Sequence, residues 1–183
     1  MTKKQISVGL DVGSCKVSVC IGSGDEGIID VLGIGKATSN GVRKGVVVDV
    51  EESVSAISAA LEEAEKMCDF SVGSVIVGLN NAHIEAKISR GVIAGAKSDG
   101  IITDADAMRV IEAARAVPNE PNREILHVIP KAFTIDGQGD IADPVGMSGI
   151  RLEVDANVIS GSLSAIKNLN RCVAQVGLSV SDM

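Results

Sequence analysis

Tryptophan and tyrosine are absent from these 183 residues, and Phe70 and Phe133 are the whole aromatic complement. Single-stranded nucleic acid is held largely by stacking on aromatic rings, so that class of ligand has no platform here. A formal net charge of −7 and a pI near 4.8 also argue against broad attraction to a phosphate backbone or an anionic lipid surface. No run of about 18 apolar residues occurs, so no segment reads as a membrane span. The N-terminus, MTKKQISVGLDVGS, starts basic but reaches Gly, Asp and Ser without an apolar stretch of signal-peptide length. Cys15, Cys20, Cys68 and Cys172 are far apart, with no CxxC pair and no histidine at metal-ligand spacing. They read as free, reduced thiols of a cytoplasmic chain. His83 and His127, the only histidines, lie in apolar strand-like runs with no nucleophile that the spacing places nearby, and read as structural.

What is present is a light, branched core. Val, Ile, Leu, Ala and Met must fill it, and each buried side chain contributes about 1.5 to 3 kcal/mol, so stability rests on many modest contacts. The runs Ile6 to Leu10 and Val17 to Ile21 flank DVGSCK and read as two strands with a tight turn. Gly22, Gly24 and Gly27 mark a second turn, IIDVLGIGKA a third strand, and SNGVRKG a loop. After Val46 to Val48, Asp49 and Glu52 have capping-box spacing, and Val54, Ile57, Leu61, Ala64 and Cys68 recur at helical spacing. The acidic positions Glu62, Glu63 and Glu65 read as that helix's wet face. VGSVIVGL then reads as a strand buried on both faces, giving a βββαβ order.

The texture changes near Ala82. HIEAKISRGVIAGAK reads as one or two strands broken at Gly91 and Gly95. Thr103 and Asp106 cap a helix lined by Met108, Val110, Ile111 and Ala114 that ends near Pro118. ILHVIP and KAFTIDG read as strands, GQGDIADPVGMSG as a long loop, and RLEVDANVI as a further strand. Ser162 then caps a helix with Leu163, Ile166, Leu169, Val173 and Val176 on one face, stopped by Gly177. SVSDM reads as the start of a strand. The strand near Val77 needs helical cover, and the helix after Ser162 is available to supply it, so the middle of the chain reads as an insertion into the first unit.

The candidate chemistry lies in GLDVGSCK. Gly13 lets the backbone bend and approach a ligand closely, so the amides near Gly13, Ser14 and Cys15 can converge on phosphate oxygens, and the Ser14 hydroxyl adds a donor. Asp11 would repel phosphate unless a cation stands between them, which gives it the role of holding Mg²⁺ through water. Lys16 adds charge, with a direction that alternation leaves open. The same tetrapeptide also occurs in plain hairpins, where Asp and Gly serve only the turn. GSGDEG lacks the Lys-Ser/Thr and the following helix of a P-loop and reads as a turn.

Three blocks in order carry a family resemblance: VGLDVGSCKV; GVRKGVVVDVE through the helix ending AEKM to VGSVIVGLNNAHI; and REILHVIPKAFTIDGQGDIADPVGMSGIRLEVDANVI. With them the chain resembles the N-terminal portion of the FtsA family of bacterial cell-division proteins. The resemblance implies an α/β, actin-like fold. A ribonuclease-H-like subdomain 1A, incomplete here, would occupy residues 1–80 and 162–183, interrupted by a small α+β subdomain 1C of SHS2 type at 81–161. It implies a non-enzymatic scaffold, at most a weak ATPase, that binds ATP and Mg²⁺, polymerises, and links FtsZ filaments to the cytoplasmic face of the membrane at the division septum. Asp11, Gly13, Ser14, Cys15 and Lys16 would form the first phosphate loop, and subdomain 1C would serve self-association and contacts with later divisome proteins.

The same resemblance sets limits. The chain stops before the family's second phosphate motif, its adenosine-contacting glycines, the subdomain that receives the FtsZ tail and the C-terminal amphipathic membrane helix. Residues 1–183 are therefore expected to bind ATP weakly or not at all, and neither to hold FtsZ nor to dock on lipid. The alternatives within the fold are another actin-fold ATPase, a small-molecule kinase or a pilus-assembly protein. The MSGIRLE block favours division over pili.

Overall fold

The computed structural model describes residues 5–25, 28–80, 84–94, 100–116 and 121–183. They form two units, residues 1–83 together with 163–183, and residues 84–162. In the first unit, strands β1 (Gln5–Val12), β2 (Lys16–Asp25) and β3 (Ile28–Thr38) run as an antiparallel meander. The short strands β4 (Val42–Arg43) and β5 (Val46–Val47), helix α1 (Val50–Cys68) and strand β6 (Ser74–Gly78) follow. After the second unit come α3 (Leu163–Gln175) and β11 (Ser179–Asp182). The sheet order is β11-β6-β1-β2-β3, with β6 parallel to β1 and β11 parallel to β6.

One face of this sheet carries Val8, Leu10, Val12, Val17, Val19, Ile21, Val75 and Val77, all buried with Ile57, Ala60 and Ala64 of α1 and Leu169, Cys172 and Val173 of α3. The other face is open. Its central row, Ile76, Gly9, Cys20 and Ile34, joins four strands in register, and Ile76 is 45% exposed. Burial on both faces of β6 is therefore not observed: Val75 and Val77 point into the core and Ile76 points away from it. A continuous apolar run of five residues carries no period, and only the placement of the helices gives it a sidedness.

The residues within strands also overturn two expected breaks. Gly22 and Gly24 lie inside β2, which continues because β1 and β3 pair with it along its length, while Gly27 lies outside the described residues. On β3, a Cβ built on Gly33 or Gly35 would overlap the carbonyl oxygens of Ala64 and Ala60, so these glycines let α1 lie directly on the strand. Asp49 caps α1 in extended conformation and accepts from the Glu52 amide at 3.1 Å. The acidic face of α1 is not simply wet. Glu63 accepts the Lys36 amide and Glu65 the Val72 amide, each at 2.7 Å, fastening β3 and the entry to β6 onto the helix.

The second unit is an antiparallel sheet, order β7-β10-β8-β9, crossed by α2. Its elements are β7 (Glu85–Ala94), α2 (Asp104–Arg115), β8 (Arg123–Ile135), β9 (Gln138–Ile141) and β10 (Arg151–Ser162). Gly91 does not break β7. It sits where a Cβ would overlap the Val110 carbonyl oxygen, so the strand passes under α2 at this point. Gly95 and Pro118 lie outside the described residues. ILHVIP and KAFTIDG are one strand, β8, which runs through Pro130 because a register shift opposite Asp155 and Ala156 absorbs the missing donor. The long loop after it contains β9, which pairs back on β8.

Val110 and Ala114 of α2 join Ile102, Phe133, Ile135, Leu152, Val154 and Ala156 in the second core, whereas Met108 is 69% exposed. Helical spacing alone does not separate the central face from its flank. Across β7 and β10, Arg90 grips Asp155 through Nε and Nη2 at 2.8 and 3.2 Å, and along β10 Arg151 pairs with Glu153 at 3.0 Å. Arg90 holds the Asp155 carboxyl below its ordinary value.

Thr103 and Asp106 form a complete capping box, with the Thr103 hydroxyl donating to Asp106 at 2.7 Å and the Asp106 amide donating to Thr103 Oγ1 at 3.3 Å. The Thr103 side chain and then its amide, with a smaller contribution from Arg109, lower the Asp106 pKa against the opposing effect of burial. A lowered folded-state value means stabilisation that is complete above the unfolded pKa and lost as pH falls through the folded one. Acid unfolding of this unit should therefore steepen below about pH 4. Asp106→Asn should flatten the pH dependence in that window, leaving the part due to Asp155. Denaturant melts from pH 6 to pH 2 check this, and parallel pH curves for both proteins would refute it.

Candidate functional site

Strands β1 and β2 are joined by a turn through Gly13, Ser14 and Cys15, closed by a 3.0 Å bond from the Gly13 amide to the Lys16 carbonyl. A Cβ on Gly13 would come within 3.0 Å of that same oxygen, so the turn is as tight as the residue permits. This changes the expected donor set. The Gly13 amide is spent within the turn, and the Ser14 and Cys15 amides remain without an acceptor among the described residues.

Asp11 stands at the end of β1, exposed on the open face of the sheet, in register with Ser18 of β2 and Gly78 of β6. Gly78 lies beside it, where a Cβ would make only ordinary contact with Asp11 Oδ1 at 3.9 Å. Lys16 begins β2 and alternates with buried Val17, which settles its direction: it is exposed on the same face as Asp11, opposite Thr38 of β3. Cys15 is exposed with a free thiol, and its carbonyl accepts the Ser39 amide at 3.1 Å.

The Ser14 hydroxyl is already engaged as an acceptor. The Gly45 amide donates to it at 3.0 Å, from the turn that joins β4 to β5. Lys44 and Gly45 both have positive φ, 50° and 74°, the two-residue turn that matches the twist of a hairpin. This small hairpin occupies the segment expected to be a loop. The glycine at the second turn position, between Val42 and Val46, was its one signal in the sequence. The Ser14 proton stays available to donate outward.

Exposed cations, two free amides, a hydroxyl proton and a nearby carboxylate fit a phosphate chain with a hydrated cation. Among the described residues no group of three His, Cys, Asp or Glu side chains converges on a metal position. Elsewhere, an open pocket of about 500 Å³ at the end of α1 is lined by Glu62, Glu65, Lys66, Asp69, Phe70 and Ser71. Its three carboxylates are wrong for a phosphate ligand. His127 is half-buried in β8, and His83 lies outside the described residues. Cys172 is buried in the first core, where desolvation raises its thiol pKa.

Residues 81–160 match the family described as "SHS2 domain inserted in FTSA". The whole chain is 36% identical over 183 residues to Cell division protein FtsA of Bacillus subtilis (strain 168), covering 42% of that protein. The chain belongs to the FtsA family. Another member, from Borreliella burgdorferi, is 39% identical over 98% of the chain and 44% of its own length. The Escherichia coli (strain K12) member is 31% identical over the whole chain and 43% of its length. The chain thus spans about two fifths of the length of these relatives. Among solved structures, the PilM-PilN type IV pilus biogenesis complex aligns with a TM-score of 0.64 over 99% of this chain and 47% of that one. At 15% identity that likeness concerns the fold, which is α/β and actin-like. Sequence identity favours the FtsA family over the pilus alternative. No helix among the described residues is long and apolar enough to cross a membrane.

The Gly45 bond to Ser14 gives a direct test of this geometry. Ser14→Ala should speed hydrogen exchange at the Gly45 amide by about two- to tenfold, the scale of one net hydrogen bond. Exchange followed by NMR measures it, and an unchanged Gly45 rate would mean the hairpin is held by other contacts.

Proposed function

We propose that residues 1–183 are the N-terminal part of a cell-division scaffold that binds ATP with Mg²⁺, polymerises, and links FtsZ filaments to the cytoplasmic face of the membrane at the division site. The observation that carries this reading is identity of 31 to 39% to FtsA proteins across the whole chain. In it, residues 1–80 and 162–183 are subdomain 1A, and residues 81–161 are subdomain 1C. Subdomain 1C serves self-association and contacts with later division proteins. FtsZ and lipid are engaged by other parts of the longer protein.

Asp11, Gly13, Ser14, Cys15 and Lys16 make one wall of the nucleotide site. When bound, Mg²⁺ would neutralise phosphate charge. The residues here orient the phosphates through the Ser14 and Cys15 amides and the Ser14 hydroxyl, with Lys16 adding charge and Asp11 holding the cation's water shell. Gly13 shapes the turn. The role is structural, with at most weak ATPase activity in the longer protein.

In the longer protein, Asp11→Ala should weaken Mg²⁺-dependent ATP binding by about tenfold or more, the scale for loss of a group that supports a metal's shell. Calorimetry with and without Mg²⁺ measures it, and equal affinity would remove the role assigned to Asp11. Depletion of the gene product from its own cells should yield filaments without septa. Normal septation after full depletion would count against the division reading itself.

A further inference from the structure

The segment from Ser39 to Gly45 is fastened to the β1–β2 turn at both ends. The Ser39 amide donates to the Cys15 carbonyl at 3.1 Å, and the Gly45 amide donates to Ser14 Oγ at 3.0 Å. Its base is fixed independently, because the Gly41 carbonyl accepts the Val48 and Asp49 amides at 2.8 and 3.1 Å just before α1 begins. A hairpin tip next to the candidate phosphate turn is therefore a built feature rather than a passing loop.

The tip carries two adjacent cations beside the turn. Arg43 and Lys44 are exposed, and neither they nor Lys16 has a carboxylate partner among the described residues. Lys66 with Glu62, Arg109 with Asp106 and Arg90 with Asp155 show the paired alternative. Lys44 also holds φ at 50°, a conformation that Asn, Asp or Gly adopts more readily. A lysine there carries positive charge on a backbone torsion that disfavours a side chain with a Cβ.

We infer that the β4–β5 hairpin is a second anion-contacting element of the nucleotide site, with Lys44 placing its ammonium on the phosphate chain and Arg43 reinforcing the field. The latch between Gly45 and Ser14 sets the tip's distance from the turn. Polyphosphate bound at the Ser14 and Cys15 amides thus bears on the hairpin as well. This rests on the phosphate-loop reading of Gly13 to Lys16 and extends it to residues of another element.

The test is an NMR titration of the longer protein, selectively labelled at the turn and hairpin amides, with inorganic tripolyphosphate, metal-free and at low ionic strength, repeated with Mg·ATP. The Ser14, Cys15, Lys44 and Gly45 amides should shift together along one isotherm. Lys44→Glu and Lys44→Gly should each weaken binding by about three- to fivefold, the scale of an exposed charge contact. Lys44→Arg should preserve affinity. Lys44→Gly relieves the positive φ, so it should melt no lower than the parent while binding less well, which separates charge from folding. Lys66→Glu, far along α1, controls for net charge and should leave affinity within twofold of the parent, about 0.4 kcal/mol. If the turn amides shift while Lys44→Gly binds as tightly as the parent, the hairpin has no part in binding and the phosphate loop stands. If no turn amide shifts, both fall. Equal losses in Lys66→Glu and Lys44→Glu would reduce the effect to net charge and overturn the assignment to the tip.

Discussion

Helix α1 lies on strand β3 with no side-chain layer between them at Gly33 and Gly35, where the Ala64 and Ala60 carbonyl oxygens take the space of the missing Cβ atoms. Gly91 lets α2 descend on β7 in the same way. A core almost without aromatic rings has little bulk with which to hold layers apart, so its layers meet at glycine and alanine and gain dispersion contacts by proximity. Everything that α1 positions depends on this approach. Its first turn sits against Gly41, whose Cβ would meet the Asp49 carbonyl and the Ser53 amide, and from there the chain folds back through the β4–β5 hairpin to Ser14.

The candidate phosphate turn is accordingly anchored on two sides. From the sheet, β1 and β2 hold the turn by their pairing and the bond from Gly13 to Lys16. From the helix, the Asp49 cap and the Gly41 contacts fix the hairpin base, and the hairpin's amide fixes the Ser14 hydroxyl. The ionic pairs of the second unit belong to a different kind of surface. Arg90, Arg151, Glu153 and Asp155 neutralise one another across β7 and β10 and leave little net field for a small charged ligand.

The amphipathic helices and the first strands were legible because they carry their own period: Ile57, Leu61 and Ala64 recur at helical spacing, and strand runs border Gly13. The Thr103 cap was readable for the same local reason. What escaped depended on partners distant in sequence. Gly22, Gly24 and Gly91 read as breakers, yet their neighbouring strands and helices keep them in extended ladders. Pro130 read as an end, yet a register shift on β10 lets β8 run through it. Ile76 read as core because nothing local says which face a helix will cover. At the candidate site, the motif proposed Asp11, Ser14 and Lys16, and the structure gathers them around one turn. The commitment of the Gly13 amide and the partnership of Ser14 with Gly45 depend on geometry that no spacing encodes.

That partnership divides the chain's freedom to vary unevenly. At position 45 the donor is the main chain, so any residue able to adopt positive φ could keep the bond, and the side chain is not what it requires. At position 14 the acceptor is a side-chain hydroxyl on a one-carbon stem, and threonine is the one exchange that retains it at the same reach. Sequence drift at the two ends of one 3.0 Å contact is thus governed by different chemistry, backbone torsion at one end and functional group at the other.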